Sequence, residues 1–200
     1  LFDAVTDGAT IKNLTVASAS ALTVAPFIAS ASGNVTIEGV TVNANVESTA
    51  SKMGAFIASI SSAANVTLTN CVNNGAISAQ GNVAGFIGHG DANLTAVFTN
   101  CVNNGTITST IKTSSHVAGF IACLQHDNVA LTLDVTFNSC ANNGSIVGDT
   151  TKVEAAGFVT FVGGISSTTA DIEFNNCLSA GPITCESTES NAKYSASGFL

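Results

Sequence analysis

A ten-residue unit, Phe98-Thr99-Asn100-Cys101-Val102-Asn103-Asn104-Gly105-Thr106-Ile107, recurs along the chain and restricts the fold more than any other feature. Close copies run from Leu68 to Ile77 and from Phe137 to Ile146, and a weaker one from Phe174 to Ile183. A second marker, Gly-Phe-aliphatic, alternates with it. It stands outright at Phe86, Phe120, Phe158 and Phe199, as Pro-Phe-Ile and Ala-Phe-Ile variants at Phe27 and Phe56, and Phe2 fits the same place. Self-similarity at this spacing is the signature of a repeat architecture, in which each repeat buries its apolar side only by stacking on its neighbours. The Phe-to-Phe interval grows toward the C-terminus, so the repeat lengthens while its markers persist.

Each repeat holds three short apolar runs, such as Val66 to Leu68, Ala76 to Ser78 and Val83 to Ile87. Alternation and β-branched residues in the first run predict strand. Gly, Asn, Ser and Thr are too dense for helix, and no long amphipathic window occurs. The expectation is all-β: a parallel β-solenoid (β-helix) of about six coils, three short strands per coil and almost no helix, with residues 1-200 one solenoid section. At about 4.8 Å per coil, six coils span roughly 29 Å.

Parallel stacking turns repeat positions into columns. Leu14, Val40, Cys71, Cys101, Cys140 and Cys177 share one position, which predicts a core ladder needing a small apolar residue rather than a thiol. The stacked cysteines would lie slightly too far apart for easy disulfides, so buried free thiols are expected. Cys123 and Cys185 fall outside the column. A second column, Ile11, Ile37, Leu68, Phe98, Phe137 and Phe174, precedes it. Phe27, Phe56, Phe86, Phe120, Phe158 and Phe199 form an apolar wall whose inward or outward direction the pattern leaves open.

The triplets Asn73-Asn74-Gly75, Asn103-Asn104-Gly105 and Asn142-Asn143-Gly144 read as the corner of each coil, because Asn and Gly tolerate positive φ. Stacked Asn73, Asn103 and Asn142 could also pass amide hydrogen bonds along the axis.

Length variation collects on either side of the Gly-Phe marker. Ser109 to Ser115, Gly148 to Glu154 and Glu186 to Ala196 precede it, in a segment holding Lys52, Lys112, Lys152 and Lys193; Gly88 to Ala92, Gln125 to Asn128 and Gly163 to Ala170 follow it. In solenoids such insertions gather on one face, which often binds partners.

Charge bears on partners. Thirteen acids against five Lys, and no Arg, leave a net charge of -8, which opposes nucleic-acid binding. No apolar run reaches the roughly 18 residues of a membrane span. His89, His116 and His126 show no metal-ligand spacing, the carboxylates are dispersed, and no calcium-loop motif occurs. Glu38 and Glu173 stand at related strand positions several coils apart. No catalytic residue, cofactor or metal is expected. Sequons at Asn13, Asn34, Asn65, Asn93, Asn104 and Asn143 are potential N-glycosylation sites, although a chain this rich in Asn, Ser and Thr produces several by chance.

The alternating F-x-N-C-x-N-N-G-x-I and G-F-I/V units resemble the repeats of microbial surface β-helix proteins, including GLUG-type adhesin repeats and chlamydial polymorphic-membrane-type repeats. The chain departs from the latter in Gly-Phe-Ile for Gly-Gly-Ala-Ile and in its Cys column. The resemblance implies cell-surface attachment or passenger architecture and brings no catalytic residues. The reading it supports is a structural or adhesive extracellular solenoid, a section of a longer surface protein or fibre. Its expected partners are copies of itself or further repeats at both ends, with glycans as further candidates. A carbohydrate-binding or carbohydrate-cleaving β-helix, and an ice-binding solenoid using outward Thr67, Thr69 and Thr99, are the alternatives.

Overall fold

The computed structural model describes residues 1–110, 114–126, 128–149, 152–164, 168–186 and 193–200. Among these there is no helix, and the chain winds as a parallel β-solenoid whose strands stack into four sheets of ten, six, five and five strands. One coil shows the path. Ile57–Thr69 runs along the first and longest wall, Val72–Asn73 makes a short second wall, Ile77–Ala79 a third and Asn82–Ala84 a fourth. A bend at Gly85 and Phe86 returns the chain to the first wall at Ile87–Gly90.

The next coil follows in register. Leu68 pairs with Phe98, Asn73 with Asn103, Ile77 with Ile107 and Val83 with Val117. Of the three expected apolar runs, Val66 to Leu68 lies within a strand, and Ile77 and Ser78 of the second open another. The structure adds Val72–Asn73 as a wall of its own and divides the third run at the Gly85-Phe86 bend.

The left-handed corner is not at Asn-Asn-Gly. Positive φ falls one residue before the core ladder, at Asn13, Gly39, Asn70, Asn100, Ser139 and Asn176, with values from 52° to 63°. Asn visits this region more cheaply than most residues because its short side chain hydrogen-bonds locally. The Asn-Asn-Gly triplets keep ordinary backbone angles, and their glycines serve close stacking instead. A Cβ on Gly105 would sit 1.9 Å from the Gly75 carbonyl oxygen, and one on Gly144 would sit 2.0 Å from that of Gly105.

The interior is filled by columns. Phe27, Phe56, Phe86, Phe120 and Phe158 are fully buried, so the Gly-Phe wall points inward; Phe199, on the last rung, is 36% exposed. Phe56, Phe86, Phe120 and Phe158 stack with ring centroids 4.6 Å apart and nearly parallel planes. The Phe98, Phe137 and Phe174 column stacks alongside at 4.8 and 5.2 Å. The two columns meet edge to face, as at Phe86 and Phe98, 5.8 Å apart and inclined by 86°. Edge-to-face and offset-stacked pairs each add about 0.5–1.5 kcal/mol beyond area burial.

Across the core, Asn73, Asn103 and Asn142 are fully buried. Asn73 Nδ2 donates to Asn103 Oδ1 and Asn103 Nδ2 to Asn142 Oδ1, both at 2.8 Å. The second amide hydrogen of each closes onto the carbonyl two residues on, at Gly75, Gly105 and Gly144, each 3.1 Å away. Burying these amides is tolerable because both hydrogens of Asn73 and of Asn103 are placed, and Asn142 accepts from Asn103 and donates to Gly144.

Gly105→Ala is predicted to force neighbouring rungs apart and cost about 2–4 kcal/mol in denaturant unfolding. Gly90→Ala, where the crowding atom is the far end of the Leu124 side chain, should be close to neutral. Equal effects would contradict backbone stacking as the reason for Gly105.

Candidate functional site: a seam of ionisable side chains

The core ladder is not a reactive site. Val40, Cys71, Cys101 and Cys140 are buried, while Leu14 and Cys177 are half-buried on the first and last rungs of the column. None of the six cysteines forms a disulfide. Cys71 Sγ donates to the Thr69 carbonyl at 3.4 Å, Cys101 Sγ to Leu68 at 3.4 Å, and Cys140 Sγ to Asn138 at 3.4 Å. The adjoining Cys140 and Cys71 thiols, together with burial, hold Cys101 far above the ordinary thiol value, and burial likewise raises Cys177 and Cys185. The same thiol contacts lower Cys71 and Cys140, but Cys71, Cys101 and Cys140 are all enclosed, which keeps reagents from them.

Outside the core, uncharged ladders run along the rod. Asn74 donates to Asn43, Asn104 to Asn74 and Asn143 to Asn104, at 2.9 to 3.0 Å. Asn65 donates to Asn34, whose amide and backbone N–H both reach Asp7 and lower its carboxyl pKa. Four of the six sequon asparagines, Asn34, Asn65, Asn104 and Asn143, therefore spend their side-chain nitrogen on a neighbouring rung. Asn13 and Asn93 are exposed, and Asn93 Oδ1 accepts from Thr132 N at 2.9 Å.

Glu38 and Glu173 do not share a position. Glu38 stands in the outward column of Lys12, Thr69, Thr99, Asn138 and Asn175, whereas Glu173 joins Thr10, Thr36, Thr67, Val97 and Thr136, two residues earlier. Glu38 pairs instead with Lys12 at 2.6 Å, an exposed contact worth well under about 1 kcal/mol. The Thr ranks of this face are broken in both columns, which removes the regular lattice an ice-binding surface needs.

Ionisable chemistry collects elsewhere, where the fourth wall meets the first around the Gly-Phe bend. In the coils marked by Phe56, Phe86, Phe120 and Phe158, the residue four before the marker and the residue three after it hold matching register positions on the two walls. Adjacent rungs then present Lys52 and Ser59, Asn82 and His89, His116 and Cys123, Glu154 and Phe161. Two columns run side by side, forming a straight seam along the rod. The described ends of both sets of variable segments adjoin it; residues 111–113, Lys112 among them, and 127, 150–151, 165–167 and 187–192 lie outside the described residues, as does the side chain of His126.

His89 and His116, which show no ligand spacing in the sequence, stand on consecutive rungs of the seam. Asn82 Nδ2 lies 2.8 Å from His89 Nδ1, while Asp91 Oδ2 lies 4.0 Å from His89 Nε2 and 3.3 Å from Lys52 Nζ. On the C-terminal side, Glu154 Oε2 approaches His116 Nδ1 to 3.1 Å and Glu154 Oε1 lies 4.0 Å from Lys152 Nζ. The His116 contact is close but misaligned for a hydrogen bond, which leaves Nδ1 buried and unsatisfied, as is Ser115 Oγ. The His116 ring lies over Phe161, centroids 4.5 Å apart and planes inclined by 22°. Cys123, between His89 and Phe161 in its column, is 1% exposed.

Each half of the seam thus repeats one motif: a carboxylate between a lysine and an imidazole. Among the described residues no group of three or more His, Cys, Asp or Glu has metal-binding geometry. The signal available in the sequence was the fixed offset of Lys52, Asn82, His116 and Glu154 before the marker, and of His89, Cys123 and Phe161 after it.

No family model and no curated protein matches the chain. Among solved structures it is similar to the crystal structure of a candidate immunoglobulin A1 protease from Bacteroides ovatus, at 15% identity and a TM-score of 0.49, the match covering 94% of this chain and 66% of that one.

Burial lowers the His116 pKa, with Glu154 opposing the effect and Lys152 adding to it. The unfolded chain, with an imidazole pKa near 6.5, then takes up the proton more readily than the folded one. Stability from this group is complete above about pH 6.5 and falls as pH drops toward the folded value. His116→Gln should lose less stability than the unmodified chain between neutral pH and about pH 5. Parallel stability curves would contradict the assignment.

Proposed function

We propose that the chain is a structural and adhesive section of an extracellular surface solenoid, without catalysis, in which the stacked core is the scaffold and the seam with its flanking segments is the contact surface. The observation that carries this reading is the division of labour across the surface. Asn ladders satisfied from rung to rung cover other parts of the rod, while Lys52, Asn82, His89, Asp91, His116 and Glu154 gather along one edge beside the segments that vary in length. A rod that repeats its coil and varies its edge presents contacts over a distance without altering its core. Along the axis, the in-register coil suits further repeats of the same chain, or copies of it, as partners.

The test joins form to activity. Electron microscopy of the native material should show rods that lengthen by about 4.8 Å for each added coil, and the purified chain should retain glycans on an array while turning over neither polysaccharide nor peptide. Compact particles, or turnover abolished by Glu154→Gln, would overturn the proposal.

A further inference from the structure

The chain carries a net charge of -8, yet its second wall carries no charge at all. Residues 13–17, 39–45, 70–76, 100–106, 139–145 and 176–182 make the six rungs of that wall with the bends beside them, and they contain no Asp, Glu, Lys or His. Lys12 and Glu38, just before the corner on the first two rungs, pair with each other.

The outward row of a rung on this wall reads the same from either side. On the two central rungs it is Asn70, Val72, Asn74 and Asn100, Val102, Asn104. The amides of both rows are exposed and the valines half-buried, while the residues between Val and its flanking amides are buried in the core. Ala141 and Leu178 continue the valine position on the next two rungs. An apolar column therefore runs along the rod between two amide ladders, with Asn100 donating to Asn70 at 3.3 Å and Asn104 to Asn74 at 2.9 Å.

We infer that this wall is a lateral contact with a second copy of the chain, two rods lying side by side with second wall against second wall, on a surface separate from the seam. A face that packs on its own copy about a twofold axis must be complementary to itself. The symmetric row meets that condition, because turning it over sets the apolar column on the apolar column and amides on amides. Asn74 and Asn104 each give one hydrogen and accept one along the rod. Each keeps a second amide hydrogen and a second lone pair for an amide opposite.

Charge favours the same occupant. Two bodies of -8 repel one another, and they approach at least cost through faces that hold no charge. A strongly charged partner finds nothing on this wall to pair with. Six rungs at about 4.8 Å, with a row about 20 Å wide, offer roughly 1,200 Å² in total when two such walls meet, at the lower end of specific interfaces.

Sedimentation equilibrium of the full chain tests the inference. The unmodified chain should pass from monomer to dimer as its concentration rises through the micromolar range. Val102→Lys and Leu178→Lys each set a charge on the column and should raise the dissociation constant at least about tenfold. Thr67→Lys, at an exposed position of the first wall, should leave it within about twofold. Unfolding curves establish that each variant is folded, and Leu178, 56% exposed, keeps the test open if Val102→Lys does not fold. Added salt should tighten the dimer, because it screens the repulsion between the two copies and the contact holds no ion pair to weaken. A monomer at every concentration overturns the inference, as does a dimer that ignores both column lysines, is weakened equally by Thr67→Lys, or loosens in salt. Association that grows end to end and survives Val102→Lys overturns the lateral contact while leaving copies along the axis as partners.

Discussion

Strands stacked about 4.8 Å apart in register place every side chain on the side chain of the next rung. Each position must therefore be compatible with a copy of itself above and below. Phenylalanine meets the condition by stacking, cysteine by being small and apolar, and asparagine by carrying both a donor and an acceptor at its tip. The buried Asn73, Asn103 and Asn142 are the strictest case, because an amide in the core is tolerable only when its neighbours on the axis complete it. Backbone obeys the same rule at Gly75, Gly105 and Gly144, where successive rungs leave no space for a Cβ.

This constraint explains how much of the architecture was legible beforehand. Columns were readable because stacking makes neighbouring coils repeat one another, so Leu14, Val40 and four cysteines could be aligned even where their chemistry differed. The corner was not readable in the same way. Asn occurs both at position 70, where φ is positive, and at positions 73 and 74, where it is not, and composition cannot separate a residue chosen for its backbone from one chosen for its amide. The direction of the Phe wall was hidden for a similar reason: the runs around it are apolar at every position, and alternation, the usual guide to facing, is absent.

The seam has no motif within a single repeat. His89, Asn82, His116 and Glu154 are unlike one another, and each taken alone reads as an ordinary surface residue. They acquire a shared position only when counted from the Phe marker, and a shared environment only when the fourth wall is folded against the first. Repetition marks the scaffold in sequence, whereas positions free to differ from coil to coil carry no pattern of their own.

The central claim, that rung-to-rung completion of buried amides holds the stack, is tested most directly by comparing Asn103→Ala with Asn104→Ala in equilibrium denaturation. The two residues are adjacent, and both donate across rungs, but Asn103 is buried and Asn104 exposed. Loss of the inner amide removes the partner of Asn73 Nδ2 and the donor to Asn142 Oδ1, and should cost about 2–4 kcal/mol; loss of the outer one should stay within about 0.5 kcal/mol. Equal costs, or a larger cost at Asn104, would contradict the account.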